Sequence, residues 1–285
     1  MTSGRTGAVL VTGAGSGIGR ALATDLSSRG TTVVATVRTA GDAPRAGPKA
    51  AHIHEIVLDL TLPADIARVA HSVQAVLGNE PLLAVVNNAG IGIGGPLEFL
   101  PLDDLRLQFE VNVFGQIALT QVLLELLRAH GHARILFVSS VGSKVSAPFF
   151  GPYAASKSAI NAIADSWRRE LAPWNIRVSI LVVAPVATPI WAKASLALDQ
   201  LQRDLPARGT ELYGVALSRA ARYVQTRAPA SAMGVDAVVR VARRAIFSRR
   251  PHQRYLVGQE TRAGIVLSAV LPARIFDAVL NKRMG

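Results

Sequence analysis

Seven short, almost wholly apolar runs, separated by longer stretches of helical period, leave this chain few ways to fold. The runs fall at residues 8–12, 32–37, 53–58, 83–87, 133–139, 177–183 and 254–257. The stretches between them, at about 17–29, 63–77, 105–129, 152–172 and 234–247, repeat apolar residues three and four apart. A strand that is apolar in succession is covered on both faces, and strand, helix and strand in turn make parallel pairs. The pattern predicts a single α/β domain over 1–285, doubly wound around a seven-stranded, mainly parallel sheet. With half of its 285 residues hydrophobic, the chain can bury one large core. Residues 41–51, with Pro44, Gly47 and Pro48, read as a loop. The more polar stretch at about 190–230 reads as an inserted helical lid, and the tail at about 262–285 as helical, with Pro272 opening its second piece.

Composition removes several kinds of chemistry. The chain has no cysteine, which excludes disulfides, thiolate catalysis and cysteine-ligated metal. The polar start, Met1 to Gly7, lacks the form of a signal peptide, and Pro185 and Pro189 break the most membrane-like run, so the expected location is cytoplasmic. The net charge is +12, and residues 201–285 carry fifteen Lys and Arg against five Asp and Glu. A solvated basic face accounts for this. Peripheral contact with anionic lipid through Arg243, Arg244, Arg249 and Arg250 is the alternative. Aromatics are 5% of residues and no nucleic-acid motif accompanies the charge, so nucleic acid is not an expected partner.

The first apolar run leads into Thr12-Gly13-Ala14-Gly15-Ser16-Gly17-Ile18-Gly19, followed by a helix. Such a turn brings backbone close to a pyrophosphate and aims N–H groups and the positive helix end at it, the device of Rossmann-type folds. A tight structural turn would use glycine equally well. The next strand ends in Val37-Arg38-Thr39 with no acid to bind a ribose 2′-hydroxyl. The missing acid and the fixed charge of Arg38 point to NADP(H) in preference to NAD(H). Asp59, before Leu60 and Thr61, is either an acceptor for the adenine amino group or the cap of the following helix, a role open to Thr61 as well.

Tyr153 and Lys157 stand four residues apart in a helical stretch, hence on one face. An ammonium beside a phenol favours phenolate and lowers its pKa, which suits proton exchange with a substrate oxygen.

Taken together, Thr12 to Gly19, Asn87-Asn88-Ala89-Gly90, Asn112, Ser140, Tyr153-x-x-x-Lys157 and Pro185-x-x-Thr188 resemble the short-chain dehydrogenase/reductase family in order and spacing. The likeness covers about residues 7–190. It implies that Tyr153 is the general acid/base, that Lys157 binds the nicotinamide ribose, and that Ser140 hydrogen-bonds the reacting oxygen. Asn112 would hold a water linking Lys157 to solvent. The implied cofactor contacts are Gly13, Ser16, Gly17, Ile18, Gly19, Arg38, Asp59, Leu60, Asn88, Ala89, Gly90, Tyr153, Lys157, Pro185, Val186 and Thr188. Two positions depart from the family pattern: Val186 stands where glycine is usual, and Ser16 where many NADP-using relatives are basic. A homodimer or homotetramer built by the stretches 105–129 and 152–172 is also implied.

The stretches 91–98, 141–153 and 188–191 look most like the hydroxysteroid and retinol dehydrogenase branch. They imply a pocket of Ile93, Val141, Pro148, Phe149, Phe150, Val186 and Trp191, suited to a lipophilic carbonyl or secondary alcohol. Phe149 and Phe150 serve equally well as core or subunit packing. His52-x-His54-Glu55 lacks a third metal ligand, and neither Ser139 nor Ser140 lies in a Gly-x-Ser-x-Gly elbow. A non-catalytic NADP-binding regulator is the alternative to an enzyme.

Overall fold

The computed structural model describes residues 6–44, 47 and 50–284. The stretch before Thr6 and Pro48 of the glycine-rich loop thus lie outside it. The strands β1 (Ala8–Thr12), β2 (Val33–Val37), β3 (Ile53–Val57), β4 (Leu82–Asn87), β5 (Arg134–Ser140), β6 (Arg177–Val183) and β7 (Arg254–Val257) form one sheet. Its order is β3-β2-β1-β4-β5-β6-β7, and every pairing is parallel. The expected sheet was mainly parallel; the absence of any hairpin connection makes it wholly so.

Side chains alternate across each strand, so each strand feeds two cores. One face, with Val9, Val11, Ala35 and Val86, is covered by α1 (Gly17–Ser27) and α9 (Val235–Phe247). The other, with Leu10, Val34, Val85 and Phe137, is covered by α2 (Pro63–Leu77), α4 (Gly115–His130) and α5 (Gly151–Glu170). The edge strand β3 is the exception to the two-sided expectation, since His54 and Val57 are exposed. Its Glu55 faces the loop after β2 and accepts from the N–H groups of Gly41 and Ala43 at 2.8 and 2.9 Å.

The helix expected at 105–129 starts earlier, as α3 (Leu102–Phe109), and passes through a π-helical turn, Glu110–Phe114, into α4. Its 29 residues are long and apolar enough to cross a membrane by length and composition, so this helix, and not the proline-broken run at 178–191, is the most membrane-like segment among the described residues. Leu119, Leu123 and Leu127 on its inner side are fully buried in the second core. Thr61 is not a helix cap, because α2 opens at Pro63 with Leu62 in the cap position.

The lid stretch forms α6 (Ile190–Asp204) and α7 (Ala207–Arg222), then a π-helical turn and the short α8 (Ala228–Ala230). Leu198, Leu205, Leu217, Ala221 and Val224 give it a third, separate core. The tail forms α10 (Gln259–Val270) and, after Pro272, α11 (Ala273–Met284).

Phe137 is fully buried in β5 and meets Trp167 of α5 at 6.1 Å between ring centroids. Truncating such a ring removes transfer energy and leaves a cavity. Phe137→Ala is expected to lower the unfolding free energy by about 3–5 kcal/mol, read from the urea midpoint at constant slope. A loss under about 1 kcal/mol would mean that this core collapses freely around the gap, contrary to its close packing.

Candidate active site

β1 pairs with both β2 and β4, so the winding direction reverses at its carboxyl end and a crevice opens there. Gly13 and Gly17 adopt φ of 64° and 54°, which side chains rarely allow. Gly19 is fixed by space: a Cβ there would lie 2.3 Å from the Gly13 carbonyl oxygen and 2.6 Å from Asn88 Nδ2. Thr12 Oγ1 accepts from the N–H groups of both Asn88 and Ala89 at 2.9 Å, and Asn88 Nδ2 donates to the Thr12 carbonyl at 2.8 Å. The two strand ends are thereby clasped together. Ser16 precedes α1 without capping it, so no side chain covers the N–H groups at Gly17, Ile18 and Gly19. Free N–H groups at a helix start, in a cradle a Cβ would fill, fit a pyrophosphate.

Around the cradle, Arg38 is exposed at the end of β2 and has no ion-pair partner among the described residues. Asp59 Oδ1 accepts from the N–H and hydroxyl of Thr61 at 2.9 and 2.8 Å. Asp59 thus shapes its own turn, and Leu60 beside it is buried with its carbonyl against Gly115. Thr188 packs against Gly17. The Pro185 carbonyl accepts from the Met233 N–H at 2.9 Å, and Val186 pairs with Met233. Val186, expected in the substrate pocket, is 5% exposed and belongs to the first core. Its carbonyl accepts from Trp191 Nε1 at 2.8 Å.

Arg20 escaped the sequence reading. Its guanidinium donates to the Gly15 carbonyl at 3.0 Å and to the Asp42 carbonyl at 2.8 Å, joining the glycine turn to the loop after β2. A cation in the first turn of a helix, where the dipole disfavours it, was the available signal.

Beside the cradle the four proposed catalytic residues converge. Ser140 ends β5; its Oγ accepts from the Gly142 N–H at 3.1 Å and is hydrogen-bonded to the Tyr153 phenol. With its oxygen so engaged, the serine proton is free for the phenol. Lys157, one turn beyond Tyr153 on α5, is buried; its Nζ donates to the Val138 carbonyl at 3.1 Å and stands 5.9 Å from the tyrosine ring centre. A Cβ on Gly90 would lie 3.0 Å from Asn112 Oδ1 and 3.3 Å from Lys157 Nζ, so these groups meet in one small space. Asn112 sits in the π-helical turn, a distortion frequent at functional sites. Its side chain accepts from the Ile91 N–H at 2.8 Å and donates to the Ile91 carbonyl at 2.9 Å and to Ser156 Oγ at 3.0 Å. Ser139 is buried with its hydroxyl unpartnered among the described residues.

Electrostatics correct one expectation. The Tyr153 phenol is pushed above its ordinary value by burial, with the Ser140 hydrogen bond pulling it partly back. Lys157 falls to about 8, also through burial. The ammonium does not dominate the phenol as the four-residue spacing suggested, because burial disfavours the charged form of both groups.

The pocket residues divide. Glycines 92 and 142, next to Ile93 and Val141, lie against the Tyr153 ring from two sides. Phe149, Phe150 and Trp191 are partly buried against the core formed by α6 and α7, and Phe149 also lines a cleft on the other side. Phe149 has a φ of 67° and its carbonyl accepts from the Gly95 N–H at 2.8 Å. Pro148 is exposed beside it. No group of three or more metal-ligating side chains exists among the described residues, His52 and His54 included.

A glycine cradle at the switch point of a parallel sheet, with Tyr153 and Lys157 at its edge, fits a nicotinamide-dependent oxidoreductase. Residues 7–199 match the family model described as short chain dehydrogenase, and the chain belongs to that family. It is 32% identical over 278 residues to the NADPH-dependent 3-dehydrocapnine reductase of Ornithobacterium rhinotracheale, covering 96% of this chain and 95% of that one. It is 33% identical over 279 residues to mouse retinol dehydrogenase 5, covering 96% and 87%. Among solved structures, a short chain dehydrogenase/reductase from Burkholderia phymatum in complex with NAD superposes with a TM-score of 0.78 at 26% identity, covering 94% of each chain.

The buried lysine has a measurable consequence. Folded, Lys157 loses its proton near pH 8; unfolded, near 10.5. Between those values the unfolded chain holds more protons, so stability rises with pH, while below about pH 8 the buried ammonium costs its full penalty. Lys157→Met is expected to remove a rise on the order of 3 kcal/mol from urea unfolding measured between about pH 8 and 10. Identical pH slopes in the two proteins would show that the lysine is not desolvated.

Proposed function

We propose that this chain is a cytoplasmic, NADP(H)-dependent enzyme interconverting a lipophilic secondary alcohol and its carbonyl compound. The convergence of Ser140, Tyr153, Lys157 and Asn112 beside the glycine cradle carries this reading. The nicotinamide, when bound, supplies or accepts the hydride. In the reductive direction the Tyr153 hydroxyl gives its proton to the carbonyl oxygen, and Ser140 donates a hydrogen bond to the same oxygen as negative charge develops there. Lys157 binds the ribose hydroxyls and holds positive charge near the phenolate that remains. Asn112 Oδ1, beside Lys157 Nζ, is suited to hold a water that returns the proton from solvent.

The unpaired Arg38 and the absence of an acid at the end of β2 support a 2′-phosphate. The NADPH-dependent reductase among the relatives supports the same choice, and retinol dehydrogenase 5 supports a lipophilic substrate. Asp59 and Leu60 would flank the adenine, Asn88 to Gly90 the ribose, and Pro185 to Thr188 the carboxamide. Ile93 and Val141 would border the reacting carbon. The proposal includes a homodimer or homotetramer joined through α4 and α5, and light scattering that finds monomer alone removes that part.

Two variants test the chemistry. Tyr153→Phe is expected to lower kcat on a panel of ketones by about 10²–10⁴-fold while NADPH still binds by fluorescence titration. Full activity in this variant would remove Tyr153 from the mechanism. Arg38→Asp is expected to shift the NADPH-to-NADH preference in kcat/KM by about tenfold or more towards NADH. An unchanged preference would leave the 2′-phosphate without its proposed partner.

A further inference from the structure

A cleft formed where the two loops that flank Tyr153 meet α11 holds a charge that the proposed apolar pocket does not use. The loops flanking Tyr153 meet where the Gly95 N–H donates to the Phe149 carbonyl. Just outside this contact lies a cleft of about 450 Å³. Pro96 and Leu97 after β4, Pro148 before α5 and Tyr213 of α7 line it, and α11 completes it with Asp277 and Leu280. Asp277 is its single charged lining residue among those described, and it has no ion-pair or hydrogen-bond partner among them. The neighbouring Tyr213 hydroxyl is already engaged, donating to Glu98 Oε2 at 2.8 Å. In a chain with 31 Lys and Arg, no cation among the described residues lines this opening.

We propose that Asp277 is a specificity-determining residue that favours substrates bearing an ammonium, or a comparable hydrogen-bond donor, at the end remote from the reacting carbon. This rests on the proposed function, in which the carbonyl reaches Tyr153 between the same two loops. The middle of the substrate lies along Leu97, Pro148 and Phe149, and its distal end emerges against α11. A carboxylate is an acceptor only, so it attracts an ammonium and repels a distal carboxylate. The field of the whole chain, at +12, acts in the opposite sense and draws anions. A preference for the cationic substrate can therefore arise only locally.

The test uses 2-dodecanone and its ω-ammonium and ω-carboxylate analogues, with binding to the full chain measured calorimetrically in the presence of NADPH and turnover followed alongside. Wild type is expected to bind the ammonium compound roughly fivefold more tightly than the carboxylate. Asp277→Asn should abolish or invert that ratio and leave the neutral ketone within about twofold, as expected for loss of one exposed charge. Asp277→Glu should restore the ratio. A wild type without the preference, or failing to bind any of the three, overturns the inference, as does an Asp277→Asn protein that keeps it. Absence of turnover with the binding preference intact instead overturns the proposed reaction and leaves the role of Asp277 standing.

Discussion

The structure depends on a distance that only glycine permits. At the end of β1 the chain turns so tightly that the Gly13 carbonyl and the Asn88 amide occupy the place of a Gly19 side chain. The Thr12 hydroxyl then accepts two N–H groups from the end of β4, tying the strands on either side of the switch point. From this clasp follow the free start of α1 and the course of the loop that carries Gly90 past Asn112 and Lys157. The same loop continues to Gly92, against Tyr153. The glycine turn and Tyr153 are thus held in register by one short polar network at the sheet's edge, whereas the two apolar cores of the sheet supply stability without specifying that register.

Burial in that network has a chemical side. A phenol and an amine, both desolvated, each resist charging. Their proton affinities, nearly equal in water, are driven apart: the lysine falls to about 8, while the tyrosine rises above its ordinary value and the serine hydrogen bond restrains that rise.

Much of this was legible in the residues. Continuous apolar runs located all seven strands, because two-sided burial leaves little room for polar residues in them, and the 3.6-residue period located the five long helices around them. The glycine turn and the Tyr153 and Lys157 pair were legible because backbone geometry and helical spacing are local properties. What was not legible depends on distant partners. The π-helical turn at Asn112 arises from contacts with Ile91 and Ser156, far away in sequence. Arg20 acquires meaning only beside Asp42, Val186 only beside Met233, and Asp277 only once α11 lines one cleft with Pro148. The packing of Phe149 and Phe150 on α6 and α7 likewise depends on a core assembled from residues far along the chain.

That separate core has an evolutionary reading. Leu198, Leu205, Leu217, Ala221 and Val224 satisfy one another, and the body contributes only a few aromatic rings, chiefly Phe99, Phe149 and Phe150. An element that stabilises itself can accumulate substitutions on its inner wall without disturbing the nucleotide-handling half of the protein. The helical pair can thus change its sequence by co-variation within its own core, provided that it keeps its junctions with the body: those three rings, the Tyr213 bond to Glu98 and the Trp191 bond to the Val186 carbonyl.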